Sequence, residues 1–140
     1  MRTIVFALVA SVTGIVSPLP VQAAGAWPAQ LVRVVDGDTA IMRVMPPDRK
    51  PFVQSVRFRG VDTPELKAMC ESERVAALRA KQVTARILAS GAIRLTDPEP
   101  DHYGRLAARV LVNGRDVAET LVSGGYGRPY RRGRRRGWCG

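Results

Sequence analysis

The stretch QLVRVVDGDTAIMRV, residues 30–44, is typical of two strands joined by a tight turn. Residues 30–35 and 39–44 are rich in apolar and β-branched side chains, and Asp36-Gly37-Asp38 between them is a hairpin turn signature. A proline-rich loop then leads to a third predicted strand at residues 53–60. We therefore expect three strands before any long helix.

Helical periodicity begins after the third strand. Thr63-Pro64-Glu65 has the capping hydroxyl, the proline and the acid that open helices, and a longer helix is predicted over residues 71–90. Its apolar residues recur three and four positions apart, the spacing of one helix face. They are Ala76, Ala80, Val83 and Ile87.

Two more strands and a short helix complete the pattern. Residues 93–95 and 106–112 are predicted strands. Asp116 with Glu119 forms a start similar to a capping box, ahead of a helix over residues 117–123. Five short strands with two or three helices predict an α+β protein that is mainly β.

The first 23 residues have the layout of a secretory signal peptide. Arg2 precedes an apolar run at residues 4–16, and small residues follow a proline break, so cleavage is predicted after Ala23, with Ala26 as the alternative. The apolar run is shorter than the ~20 residues that a membrane-spanning helix needs. A secreted or periplasmic protein is therefore favoured over one with a retained membrane anchor.

The remaining chain has the size of one ordinary domain, which we place at residues 24–127, followed by a basic tail at residues 128–140. The formal net charge is +10. Much of it comes from the tail, which could gather polyanions by counterion release or serve only as a solvated segment. The tail arginines are Arg128, Arg131, Arg132, Arg134, Arg135 and Arg136.

Cys70 and Cys139 are the only cysteines of the chain. In an exported protein an even pair of cysteines predicts a disulfide. This bridge would pin the tail to the start of the long helix, with a stabilisation of at most roughly 4 kcal/mol from chain entropy.

Three segments of this basic chain combine carboxylates with arginines: residues 34–39, 56–65 and 101–105. Carboxylate oxygens are the ligands that calcium prefers, and the flat guanidinium of arginine pairs bidentately with a phosphate. Each segment alone has an ordinary explanation, since Asp38 could simply form a turn and Asp62 could cap a helix. Together they favour metal-assisted cleavage of a phosphodiester.

Taken in this order, the three segments resemble the thermonuclease family, the proteins similar to staphylococcal nuclease. The resemblance runs from about residue 30 to residue 130, most of the mature chain. It implies a five-stranded β-barrel of the oligonucleotide-binding (OB) type with two to three helices. The chain departs from the family at Tyr126-Gly127, where an apolar residue and an alanine are usual.

The resemblance also implies a calcium site. At the matching positions, Asp38, Asp62 and the backbone carbonyl of Thr63 bind Ca²⁺. Glu65 acts through water, as the general base or as the group that positions the nucleophile.

Two arginines and a tyrosine would hold the substrate. Arg57 and Arg59 are two apart on one strand and face the same side, so geometry alone does not choose between them. The family motif chooses Arg57, which with Arg105 grips the scissile phosphate. Tyr103 lies beside the nucleotide in the family, although a half-buried rim tyrosine is an equally good interpretation of it.

These expectations describe an exported calcium-dependent nuclease that hydrolyses single-stranded or locally open DNA and RNA and leaves 3′-phosphate ends. The main alternative is a catalytically inactive OB-type module that binds nucleic acid or another anionic polymer. A factor that processes an acidic polysaccharide is a third possibility. We expect a monomer, and no protein partner is indicated.

Overall fold

The hairpin predicted at residues 30–44 forms in the structure, a computed structural model that describes residues 25–140. The predicted signal peptide, residues 1–23, lies outside the described residues. Within residues 25–140, no helix has both the length and the apolar character needed to cross a membrane. The elements of the described chain are β1 (Trp27–Asp36), β2 (Thr39–Val44), β3 (Phe52–Phe58), β4 (Gly60–Asp62), α1 (Glu71–Ala89), β5 (Ile93–Pro100), β6 (Leu106–Val112), β7 (Arg115–Asp116), α2 (Val117–Ser123) and β8 (Arg128–Tyr130).

Five of these strands close a barrel. β3, β2, β1, β5 and β6 pair antiparallel in that order, and β6 then returns to pair in parallel with β3. This closure confirms the predicted α+β fold with a five-stranded barrel, and the described chain carries two helices beside it. β7 extends the sheet at β6, while β4 and β8 form a separate two-stranded sheet.

Apolar side chains that alternate along the strands fill the barrel. Met42 and Val44 of β2, Val56 and Phe58 of β3, and Leu95 of β5 are all at most 1% exposed. Burying a side chain of this size contributes roughly 1.5–3 kcal/mol. Because β2 and β3 also carry polar residues of the candidate site, core packing fixes the positions of those residues.

Thr63-Pro64-Glu65 does not begin a helix, contrary to the prediction, and α1 starts at Glu71. The backbone N–H and the hydroxyl of Thr63 both donate to Oδ2 of Asp38, at 3.0 and 3.1 Å. The backbone N–H of Glu65 donates to Oε1 of Glu73, at 3.0 Å. These hydrogen bonds anchor the loop to Asp38 on one side and to the first turn of α1 on the other.

The buried face of α1 is shifted by about one residue from the predicted apolar face. It is formed by Ala77, Ala80, Thr84 and Leu88, whereas Val83 and Ile87 are only partly buried. Small side chains on this face bring the helix close to the β1–β2 turn. The hydroxyl of Thr84 donates to the carbonyl of Gly37 at 2.6 Å and fastens the two together.

Gly37 has no room for a side chain. A Cβ at this position would lie 2.7 Å from Oγ1 of Thr63 and 2.8 Å from Cβ of Ala80. The turn that presents Asp38 is therefore packed between the loop after β4 and the helix α1. This close approach fixes where the Asp38 carboxylate points.

The segment beyond residue 127, predicted as a separate tail, packs against the barrel. β8 pairs antiparallel with β4 and places Arg128 opposite Asp62. Cys139 forms the predicted disulfide with Cys70, with Cα atoms 5.9 Å apart. The paired structure thus continues past the residue at which the sequence analysis ends the domain.

Candidate active site

Asp38 is the most heavily bonded carboxylate of the candidate site and is 4% exposed. Its Oδ2 accepts the two hydrogen bonds from Thr63, and its Oδ1 accepts from the hydroxyl of Thr39 at 3.1 Å. Nη2 of Arg57 lies 3.2 Å from Oδ2. Asp38 from the first predicted segment therefore forms one connected cluster with Arg57 and Thr63 from the second.

The guanidinium of Arg57 is buried, and it is bonded to backbone carbonyl groups as well as to Asp38. Its Nη1 donates to the carbonyl of Phe58 at 2.6 Å, and its Nη2 donates to the carbonyl of Val61 at 2.9 Å. Burial lowers the pKa of Arg57, the charge of Asp38 opposes that shift, and the charges of Arg135 and Arg105 add to it. Three arginines therefore approach one another here, an arrangement that an anion such as a phosphate would stabilise.

Asp62 ends β4 and is 1% exposed. Arg128, opposite it in β8, donates to Oδ2 from Nε and Nη2 at 3.1 and 2.9 Å. Oδ1 receives no hydrogen bond from the described residues, and Nε of Arg135 lies 3.4 Å away from it. One oxygen of a fully buried carboxylate is therefore left for a cation.

Glu65 lies in the loop before α1, with its side chain 56% exposed. Its Oε1 accepts from Nη1 of Arg135 at 2.7 Å. Arg135 thus stands between Glu65 and Asp62, two residues that the resemblance assigns to metal and water. Burial lowers the pKa of Arg135, but the charges of Asp38, Asp62 and Glu65 outweigh it and the net shift is upward.

Arg105 and Tyr103 belong to a loop that Asp101 organises before β6. Asp101 accepts from the backbone N–H groups of Tyr103 and Arg105, at 2.8 and 2.9 Å, and from Nε of Arg105 at 2.8 Å. Burial raises the pKa of Asp101, but these hydrogen bonds outweigh it and lower it overall. The guanidinium of Arg105 lies 5.1 Å from the ring centre of Tyr103, a ring that is 76% exposed.

A groove of about 1320 Å³ joins the predicted arginines to the chain's C-terminal segment. Tyr103 and Tyr130 both line it, so aromatic faces accompany its basic side chains. Glu99 and Asp101 also line it, but they are paired with Arg59 and Arg105. The groove is therefore strongly positive. Its arginines are Arg57, Arg59, Arg105, Arg131, Arg132 and Arg135.

Two observations fit a cation beside the acidic residues. Oδ1 of Asp62 is buried without a hydrogen bond from the described residues, and a guanidinium stands next to it. In addition, burial and the neighbouring charge of Asp38 raise the pKa of Asp36 to about 6. A positive charge bound nearby would stabilise the ionised carboxylate and lower this pKa again.

The carboxylates do not by themselves form a closed metal cage. Within residues 25–140, the trio of His, Cys, Asp or Glu side chains with ligand atoms within 4.8 Å of one another is Cys70, Glu73 and Cys139. Its two sulfurs are joined in the disulfide and are not ligands. A metal at Asp38 and Asp62 would therefore depend on backbone carbonyls, water and substrate to complete its shell.

Sequence reasoning missed the arginines that contact the acidic residues, Arg128 and Arg135. Their partners Asp62 and Glu65 are 66 and 70 positions away along the chain, so no local pattern links them. The disulfide prediction was the available signal, because a bridge from Cys139 to Cys70 brings the tail back to the loop that carries Glu65.

Comparison with known proteins yields one family and two relatives. A family described as staphylococcal nuclease homologue matches residues 55–137. Endonuclease YncB of Bacillus subtilis (strain 168) is 35% identical over 101 residues, which cover 70% of this chain and 46% of the relative. The SPbeta prophage-derived endonuclease YokF of the same organism is 34% identical over 101 residues, covering 70% of this chain and 32% of that relative.

The chain thus spans less than half the length of the curated relatives it matches. The family match includes Arg57, Asp62, Glu65 and Arg105 and begins after Asp38. It also includes the segment that carries Arg135.

Proposed function

The chain belongs to the staphylococcal nuclease homologues, and from that premise we propose that it is a metal-dependent endonuclease acting on DNA and RNA. The observation that carries this proposal is the groove that Arg57 and Arg105 share, beside the buried cluster of Asp38 and Thr63. A scissile phosphate between the two guanidinium groups would lie next to the acidic residues. The names of the two relatives, both endonucleases, support the same chemistry.

A single strand is the proposed substrate, because the groove offers phosphate contacts and aromatic rings, one exposed and one partly buried. Tyr103 and Tyr130 give unstacked bases a surface to stack on. Arginine contacts to phosphate carry no base information, so sequence preference should be slight.

Calcium is the proposed cofactor. Asp38, Asp62 and the carbonyl of Thr63 would hold it, and it would supply positive charge to the phosphoryl oxygens. Calcium suits this donor set because it accepts irregular shells of carboxylate, carbonyl and water oxygens, whereas magnesium requires a tighter octahedron.

The side chains would divide the chemistry as follows. Arg57 and Arg105 bind the non-bridging phosphate oxygens and stabilise the charge that builds up on them as water attacks in line. Glu65 orients that water or accepts its proton. The 5′-oxygen leaves, and the product strand ends in a 3′-phosphate.

The catalytically inactive binding module has one observation in its favour. Asp62 and Glu65 are both paired with arginines of the C-terminal segment, so the acids are engaged before any substrate arrives. Such a protein would bind strands in the groove without cutting them.

Export to the periplasm or beyond is also part of the proposal. It is supported by the amino-terminal sequence pattern and by a disulfide between the chain's two cysteines. We propose a monomer, since the groove is built from one chain.

A digestion and binding experiment tests the function. Purified residues 24–140 are incubated with a labelled single-stranded DNA and an RNA in calcium, and the ends of the products are mapped. We expect cleavage of both polymers with 3′-phosphate ends, and strong loss of cleavage in Arg105→Ala. Strands that are bound but left uncut would establish the inactive module instead.

A further inference from the structure

Arg135 contacts two acids of the candidate site, the proposed metal ligand Asp62 and the proposed water-orienting residue Glu65. Its Nη1 lies 2.7 Å from Oε1 of Glu65, and its Nε lies 3.4 Å from Oδ1 of Asp62. The fork of one guanidinium therefore spans two carboxylates that belong to different parts of the chain. This geometry is the one that arginine offers and lysine does not.

Arg135 approaches Oδ1 of Asp62, the carboxylate oxygen that Arg128 does not bind. Arg128 binds the other oxygen of Asp62, and Oδ1 is buried with no hydrogen bond from the described residues. A metal ion bound by Asp62 would use this free oxygen. Arg135 and the metal would therefore compete for the same lone pairs.

Arg135 also lies in the field of the whole acidic cluster. Its guanidinium is ion-paired with Asp62, a proposed metal ligand, and with Glu65. A divalent ion bound by Asp38 and Asp62 would repel a guanidinium only a few ångströms away. The metal ion and the Arg135 guanidinium therefore cannot both stay beside Asp62.

The chain holds Arg135 in place from both sides. Four residues after it, Cys139 is bonded to Cys70. Seven residues before it, Arg128 donates to the carbonyls of Arg136 and Gly137 and stacks 4.2 Å from the ring centre of Trp138. This tethering gives the guanidinium a high effective concentration at the carboxylates.

We propose that Arg135 is a built-in cation that competes with the divalent metal for Asp62, while its ion pair with Glu65 holds it there, and that it so sets the metal affinity of the site. The proposal rests on the proposed metal site but not on cleavage. It makes calcium binding weak in the resting protein, because displacing Arg135 opposes each binding event.

The test is a calorimetric titration of residues 24–140 with calcium. The disulfide is formed and no nucleic acid is present. We compare the wild type with Arg135→Gln and with Arg134→Gln, which removes the same charge from an exposed neighbour that pairs with no carboxylate of residues 25–140. Removing a cation that contacts two carboxylates should tighten calcium binding ~10-fold or more. Arg134→Gln should change it less than about twofold, as expected for an exposed and screened charge.

Two further variants guard against a folding artefact. Arg135→Lys keeps the charge but lacks the fork, so its affinity should lie between those of the wild type and Arg135→Gln. The double variant Cys70→Ser with Cys139→Ser loosens the tether and should also tighten calcium binding, with circular dichroism used to confirm the barrel.

An unchanged or weaker affinity in Arg135→Gln overturns the proposal, and so does the absence of calcium binding in every variant. Absence of cleavage is a separate outcome, which bears on the proposed nuclease activity. A protein that shows the affinity shift but cuts no strand would retain the built-in cation and lose the proposed activity.

Discussion

At the scale of single residues, Arg57 and Arg59 are neighbours with different settings: contrary to the prediction of one shared strand, β3 ends at Phe58 and leaves Arg59 outside it. They are two apart in sequence and both line the groove. Arg57 is 6% exposed and pairs with Asp38, whereas Arg59 reaches outward to Glu99 at 2.7 Å. The family motif selects Arg57, and the structure gives a physical difference that matches this choice.

Replacing the phosphate-binding arginines should abolish most of the activity. Arg57→Ala or Arg105→Ala is expected to lower turnover by roughly 10³- to 10⁵-fold, the range for arginines at phosphoryl-transfer sites. Arg59→Ala is the matched control in the same groove and should lose far less. Steady-state cleavage rates on a single-stranded DNA provide the measurement, and equal losses for Arg57→Ala and Arg59→Ala would refute the assignment.

Arg57→Ala needs a stability check, because it leaves Asp38 buried without its cation and breaking a buried pair is costly. Thermal melting of both variants supplies it. Arg105 is partly exposed and bonded to Asp101, so its variant separates catalysis from folding more cleanly.

At the scale of elements, the sequence predicted best where turn residues mark both ends. β2, β6 and α2 have the predicted bounds, since Asp-Gly and Asn-Gly turns and the cap at Asp116 delimit them. β5 extends to Pro100 because it pairs with β6 across an irregularity between Thr96 and Glu99. Long-range pairing of this kind leaves no local signal.

The short strands β4 and β8 were not predicted separately, for a related reason. Each is three residues long, and their pairing depends on Gly127, where a Cβ would lie 2.5 Å from Cγ2 of Val61. The departure from the family pattern at Gly127 therefore has a packing reason. Arg128 and Arg135 reach the acidic residues only through this pairing and the disulfide.

Gly37→Ala should disturb the element that presents Asp38. The new Cβ would overlap Thr63 and Ala80, and overpacking of this kind costs about 1–3 kcal/mol. Thermal melting should show a lower Tm, and cleavage should fall with it because Asp38 and Thr63 must separate. Gly137→Ala is the control, since its nearest neighbour would be 4.0 Å away. A Gly37→Ala protein with unchanged Tm would contradict the packing described.

At the scale of the whole molecule, the predicted barrel and the predicted disulfide together explain the site. The barrel places Thr39 opposite Arg57 on paired strands, with Asp38 in the turn directly before Thr39. The bridge returns the basic C-terminal segment to the groove. Composition left open a tail that gathers polyanions and a tail that is only solvated, and it did not predict that tail arginines would contact the acids.

The disulfide should be present in the natively isolated protein and should stabilise it. Intact-mass measurement with and without reductant is expected to show two thiols only after reduction. The Cys70→Ser and Cys139→Ser double variant should lose up to roughly 4 kcal/mol by denaturant unfolding, the chain-entropy estimate for a loop of this length. Two alkylatable thiols in freshly isolated native protein would contradict the bridge.

The central claim is that calcium and the acidic cluster together carry the cleavage. The most direct measurement is the rate of single-stranded DNA cleavage by residues 24–140 in calcium, in magnesium and in excess chelator, with Asp38→Ala beside the wild type. We predict cleavage in calcium, little in magnesium, and none with the chelator or in Asp38→Ala. Equal rates in calcium and in excess chelator, or an unchanged rate in Asp38→Ala, would contradict the account.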